Sequence, residues 1–76
     1  MIDIIATRNL YTGDVIIHHT FNWDEFPDQG IMHDMQIKMC EEIDKNFPNP
    51  PYETDILTGM SLEAIYDAYP LFAPKN

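Results

Sequence analysis

Basic residues are scarce in this sequence. Lys and Arg number 4 against 13 Asp and Glu, a net charge of −9 that charging all three histidines moves only to −6. Phosphate contacts need cations, so this balance argues against direct binding of nucleic acid or of an anionic membrane and favours a basic partner or a cation. The single cysteine rules out an internal disulfide and fits a reducing compartment. With apolar runs of only three to four residues, no transmembrane helix is expected. Met-Ile-Asp-Ile-Ile at the start lacks the basic region and long apolar stretch of a signal peptide, so the expected location is the cytoplasm, a host's if the chain is phage-encoded. Three glycines cannot build a Gly-rich phosphate loop, a dinucleotide fingerprint or a Gly-x-Ser-x-Gly elbow.

What is present is a normal globular apolar share, 45% of 76 residues, enough for one small domain and one core. Residues 2–8 and 15–22 are rich in β-branched side chains and read as strands. In the second, strict alternation puts Val15, Ile17, His19 and Phe21 on one face and Ile16, His18, Thr20 and Asn22 on the other. Gly13 can supply the positive φ of a tight reversal, so the two form an antiparallel hairpin, about residues 2–22. Pro27 and its acidic neighbours open a helix from about Asp28 or Ile31 to about Asn46. Its apolar stripe is Met32, Met35, Met39, Ile43 and Phe47, flanked by Ile31 and Cys40. Asp34, Lys38 and Glu42, and Glu41 with Lys45, stand at i,i+4 spacing on the opposite side.

Prolines at 48, 50 and 51 end that helix, and residues 47–51 form a short rigid connector of polyproline character. Tyr52 to Thr58 is predicted as a brief helix with Gly59 as its left-handed cap. Ser61 caps a last helix to about Tyr69, with Leu62, Ile65, Tyr66 and Tyr69 inward and Pro70 beyond. In the tail, residues 70–76, Leu71 and Phe72 pack back on the core and the end frays. The predicted fold class is α+β: a single small domain with a hairpin on one long amphipathic helix and a short C-terminal helical pair. So small a core suggests stabilisation by self-association or a partner.

Catalytic and metal chemistry find little support. His18 and His19 are adjacent and point to opposite faces of a strand, while His33 and Cys40 lie two helical turns apart without a Cys-x-x-Cys or His-x-x-x-His spacing. Cys40 beside a methionine-rich stripe reads as an inert thiol, and the methionines as core filler before they read as a binding groove. Residues 24–30 are acidic, but Phe26 fills the third ligand place of an EF-hand loop and Gly30 comes one place late. Neither an enzyme, a cofactor nor a metal site is expected. The stretch from Asp55 to Pro70, through Gly59, Ser61, Glu63 and Ile65, resembles the turn of small antitoxin-like helix-turn-helix domains over sixteen residues. It lacks their basic residues, so the likeness is one of turn chemistry and implies no DNA binding.

The remaining signal is the arrangement of carboxylates. Asp24, Glu25, Asp28 and Asp34 gather at the start of the long helix, and Glu41, Glu42 and Asp44 near its end, where negative charge does not help a helix. A rigid acidic array can imitate a nucleic-acid backbone and enter a groove built for phosphates, with Trp23 and Phe26 as central anchors. A small, acidic, motif-free chain of this kind looks like the DNA-mimicking inhibitors of phages and mobile elements, anti-CRISPR proteins among them. The resemblance is one of class and transfers no residues. The expected function is a nonenzymatic inhibitor or regulator of a protein with a basic nucleic-acid-binding surface. The alternative is a structural or adaptor module, a homodimer or a partner binder, that uses the hairpin edge and the Met-rich helix.

Overall fold

A computed structural model describes residues 1–74. Strands β1 (Ile2–Asn9) and β2 (Val15–Asn22) form the expected hairpin. Gly13 takes φ 77°, which favours glycine, and the Asn9 side-chain oxygen accepts the Tyr11 and Thr12 amides at 2.9 and 3.1 Å, tying the loop down.

Tyr52–Gly59 is a strand, β3, and not the brief helix its sequence suggested. It pairs antiparallel with β1 from Ile2↔Gly59 to Asn9↔Tyr52, giving a three-stranded sheet in the order β2-β1-β3. The physical reason lies in two places. Thr54, Ile56 and Thr58 put β-branched side chains at every second position, which suits a pleated face. Meanwhile residues 3–7 of β1 are all buried, as only a central strand covered on both faces can be. Gly59 correspondingly has no positive φ; a Cβ there would stand 2.7 Å from Ile65 Cγ1, so the glycine allows close approach of the last helix.

The strict alternation expected along β2 is also broken. Ile5 pairs with His19 but Ala6 with Ile17, so His18 is the extra residue of a β-bulge. The bulge moves the two halves of β2 into different cores. Val15 and Ile17 pack with Ile4, Ala6, Leu57, Ile65 and Phe72 on one face of the sheet, whereas Phe21 joins Ile5 and Met32 on the other.

Helix α1 (Gln29–Asn46) covers the Ile5 face. Asp28 caps it, its Oδ1 accepting the Gly30 and Ile31 amides at 2.8 and 3.2 Å. Of the expected stripe, Met32 is buried and Met39, Cys40 and Ile43 partly so, but Met35 is 42% exposed, and the second fully buried position is Gln36. The connector after α1 closes as a turn, Tyr52 N donating to Pro48 O at 3.2 Å, rather than running as extended polyproline. Helix α2 (Leu62–Ala68), capped by Ser61 as expected, covers the opposite face through Ile65; Leu62 and Tyr69 stay exposed and Tyr66 is half-buried. A 3-10 turn, Pro70–Phe72, buries Phe72 but leaves Leu71 66% exposed. The fraying expected at residues 75–76 lies outside the described residues. Arg8 stacks its guanidinium over Phe72 and pairs with Glu53 at 3.0 Å; its buried Nε has no hydrogen-bond partner.

Candidate functional site

Directly after β2 the chain makes a 3-10 turn, Trp23–Glu25, because Asn22 accepts the Asp24 amide at 3.0 Å and Phe26 N donates to Trp23 O at 3.1 Å. The turn is fixed from beneath. Trp23 Nε1 donates to Asp3 Oδ1 at 2.9 Å, and the same carboxylate accepts Thr58 Oγ1 from β3 and Gln36 Nε2 from α1, both at 2.7 Å. Asp3 is only 5% exposed, and all three donors are neutral. A carboxylate satisfied by hydrogen bonds alone can stay buried, and it ties four elements to one point.

This hub decides what the turn presents. Trp23 and Phe26, expected as interface anchors, pack against Ile5, Phe21 and Met32, with the Phe26 and Phe21 ring centres 5.7 Å apart. Asp24 and Glu25 are what remains outside, both exposed. Asp28 follows, exposed but engaged as the cap of α1. Sequence reasoning missed Asp3, Gln36 and Thr58. The one available signal was a glutamine at the i+4 position after Met32, inside an otherwise apolar stripe.

On α1, Asp34, Glu41, Glu42 and Asp44 are all exposed. Asp34 and Glu41 lie seven residues apart, so they share a row about 10 Å long. Lys38 and Lys45 occupy the neighbouring row, and Lys45 Nζ pairs with Glu42 Oε1 at 2.9 Å, at i,i+3 rather than with Glu41. The middle of the helix is therefore mixed in sign. Asp44 sits apart, close enough to Cys40 to act on it together with Asp55. Among the described residues the ion pairs are Arg8–Glu53 and Lys45–Glu42, which leaves Asp24, Glu25, Asp28, Asp34, Glu41 and Asp44 without one. Along the chain, the stretch between Arg8 and Lys38 holds Asp14, Asp24, Glu25, Asp28 and Asp34 and no Lys or Arg, but Asp14 stands at the hairpin end, next to Val15 opposite Arg8, away from the Trp23–Glu25 turn.

The histidines do not gather. The bulge turns both His18 and His19 toward the α1 face, against the opposite faces expected. His18 Nε2 meets Thr7 Oγ1 at 2.7 Å, which in turn meets Thr54 Oγ1 at 2.7 Å, and its ring stands edge-on to Phe47. Burial lowers the His18 pKa, favouring the neutral ring. His19 instead packs on Phe21 at 4.5 Å. Burial first, then Asp44 and Asp55, push the Cys40 thiol up, which disfavours the nucleophilic thiolate. Among the described residues no group of three His, Cys, Asp or Glu side chains is placed to hold a metal ion, and no helix is long and apolar enough to cross a membrane. A groove of about 340 Å³, lined by His18, Lys38, Met39, Glu42 and Ile43, runs between β2 and α1. A second, about 260 Å³, lies beside Arg8 and the Pro70–Phe72 turn. No protein-family model matches the chain, and no curated protein or solved structure matches it either.

Proposed function

We propose that this protein is a nonenzymatic inhibitor or regulator that binds the basic surface of a nucleic-acid-handling protein. The observation that carries the reading is the acidic turn after β2. Asp24 and Glu25 face solvent on a turn pinned through Trp23 to buried Asp3, Asp28 follows them, and no Lys or Arg falls between Arg8 and Lys38 along the chain. A fixed anion loses less entropy on docking than a mobile one, and fixed charge of one sign accelerates encounter with a basic groove. Asp34, and Glu41 between Lys38 and Lys45, extend the surface along α1.

The test is affinity capture from a lysate of the native host, eluted by a salt gradient. The expected partner binds nucleic acid, elutes early from the Asp24→Asn/Glu25→Gln/Asp28→Asn variant and is displaced by DNA or RNA. Asn keeps the cap at position 28, so the fold survives the triple change. A partner whose retention is the same at low and high salt overturns the reading.

One observation favours the adaptor alternative: Ile31, Met35 and Ile37 on α1 are 57%, 42% and 42% exposed. Under that reading light scattering finds a concentration-independent oligomer, and the triple neutralisation is harmless.

A further inference from the structure

The two edges of the sheet differ. The β3 edge carries Glu53 and Asp55, and the Asp55 carboxylate already accepts the Ile56 amide at 2.9 Å. Charge and occupied amides are how a protein guards an edge against pairing. The β2 edge carries no Asp, Glu, Lys or Arg between Val15 and Asn22; its guard is the bulge at His18 alone, and among the described residues the strand pairs only with β1. Beside this open edge lies the groove lined by His18, Met39 and Ile43, with Lys38 and Glu42 at its sides; Ile16, two residues before His18 on β2, is 43% exposed. Acidic groups stand at both ends of the strand, Asp14 before it and Asp24 and Glu25 after it.

We propose that the β2 edge receives an extended segment of a partner protein, apolar at its centre and carrying Lys or Arg at its ends. The segment adds as a fourth strand, its central side chain enters the groove beside Met39 and Ile43, and its basic ends meet Asp14 and the Asp24–Glu25 turn. Eight residues of β2 span about 26 Å, so a segment of similar length brings both ends into reach. A second copy fits less well: it carries the same −9, and its own bulge would have to be matched against this one. The basic ends rest on the proposed function; the strand pairing does not.

The experiment uses the full chain, isotopically labelled, and the synthetic peptide Lys-Lys-Thr-Val-Leu-Val-Thr-Lys-Lys, with the central Leu replaced by Pro as control. Bound peptide is expected to slow amide exchange within Val15–Asn22 by roughly tenfold or more while leaving the β3 amides as they were. The Pro peptide has no such effect, and Ile16→Lys, at an exposed position, weakens binding by roughly tenfold with an unchanged circular dichroism spectrum. Unchanged exchange in β2 at saturating peptide overturns the inference, as does a free protein that sediments as a dimer with β2 already protected. Retained β2 protection without salt dependence defeats the electrostatic reading and leaves the strand pairing standing; salt-sensitive binding that leaves β2 untouched does the reverse.

Discussion

At the scale of single residues, Asp3 matters more than any carboxylate on the surface. It accepts from Trp23, Gln36 and Thr58 at once; the Gln36 bond is buried and the other two are half-buried. Asp3→Ala strands all three. Bonds to a charged acceptor contribute roughly 1.5–3 kcal/mol each and an orphaned buried donor costs about 1–3 kcal/mol, so a loss of about 3 kcal/mol or more is expected. A core this small supplies only about 3–5 kcal/mol. Urea titration followed by Trp23 emission is expected to show the variant largely unfolded in buffer; a midpoint equal to that of the parent would show the hub to be dispensable. Beyond a glutamine inside the apolar stripe of α1, none of this was legible beforehand, because Asp and Thr each read alone as solvent-facing. Their mutual satisfaction exists only after the strand, the helix and the turn have met.

At the scale of elements, the hairpin, α1 and the Ser61 cap were legible because each is set by local chemistry. Gly13 permits its reversal, Asp28 and the prolines after Phe47 bound α1, and the Ser61 hydroxyl meets the Ala64 amide. Strand β3 was not legible, because Gly59 and Ser61 taken locally resemble a helix end and a helix start. The glycine instead serves packing, since a side chain there meets Ile65 at 2.7 Å, with its backbone nitrogen at 3.3 Å behind it. Gly59→Ala is therefore expected to push α2 from the sheet and cost about 1–3 kcal/mol, as overpacked cores do. Thermal unfolding is the check. A stabilised variant would mean that α2 moves away freely and that the close contact does not matter. The bulge at His18 belongs to the same scale: one extra residue sends Phe21 to one core and Ile17 to the other, and no composition rule marks where it falls.

For the whole molecule, charge outweighs any one contact. Thirteen acidic residues face four basic ones, and among the described residues two ion pairs form, so most of the carboxylates have no ion-pair partner. Salt shortens the Debye length from about 10 Å at 0.1 M to about 3 Å at 1 M, which relieves repulsion among them. Tm is accordingly expected to rise with sodium chloride, by about 5 °C over that range if roughly 1 kcal/mol of repulsion is screened. A falling Tm would show that attractive pairs prevail instead. The expected acidic array is also more local than its composition implied: Lys38 and Lys45 dilute the middle of α1, and the concentrated part lies at the Trp23–Asp28 end.

The sequence by itself determined the sign of the surface, the hairpin, the long helix and the Ser61 cap, because net charge, turn geometry and capping act over a few neighbouring residues. Tertiary structure alone decided that Tyr52–Gly59 joins the sheet, that Trp23 turns inward to Asp3, and that β2 and β3 form the two sheet edges. Each of these depends on partners 20 to 55 positions away along the chain, as Trp23 and Thr58 are from Asp3, and no local preference encodes a contact of that reach.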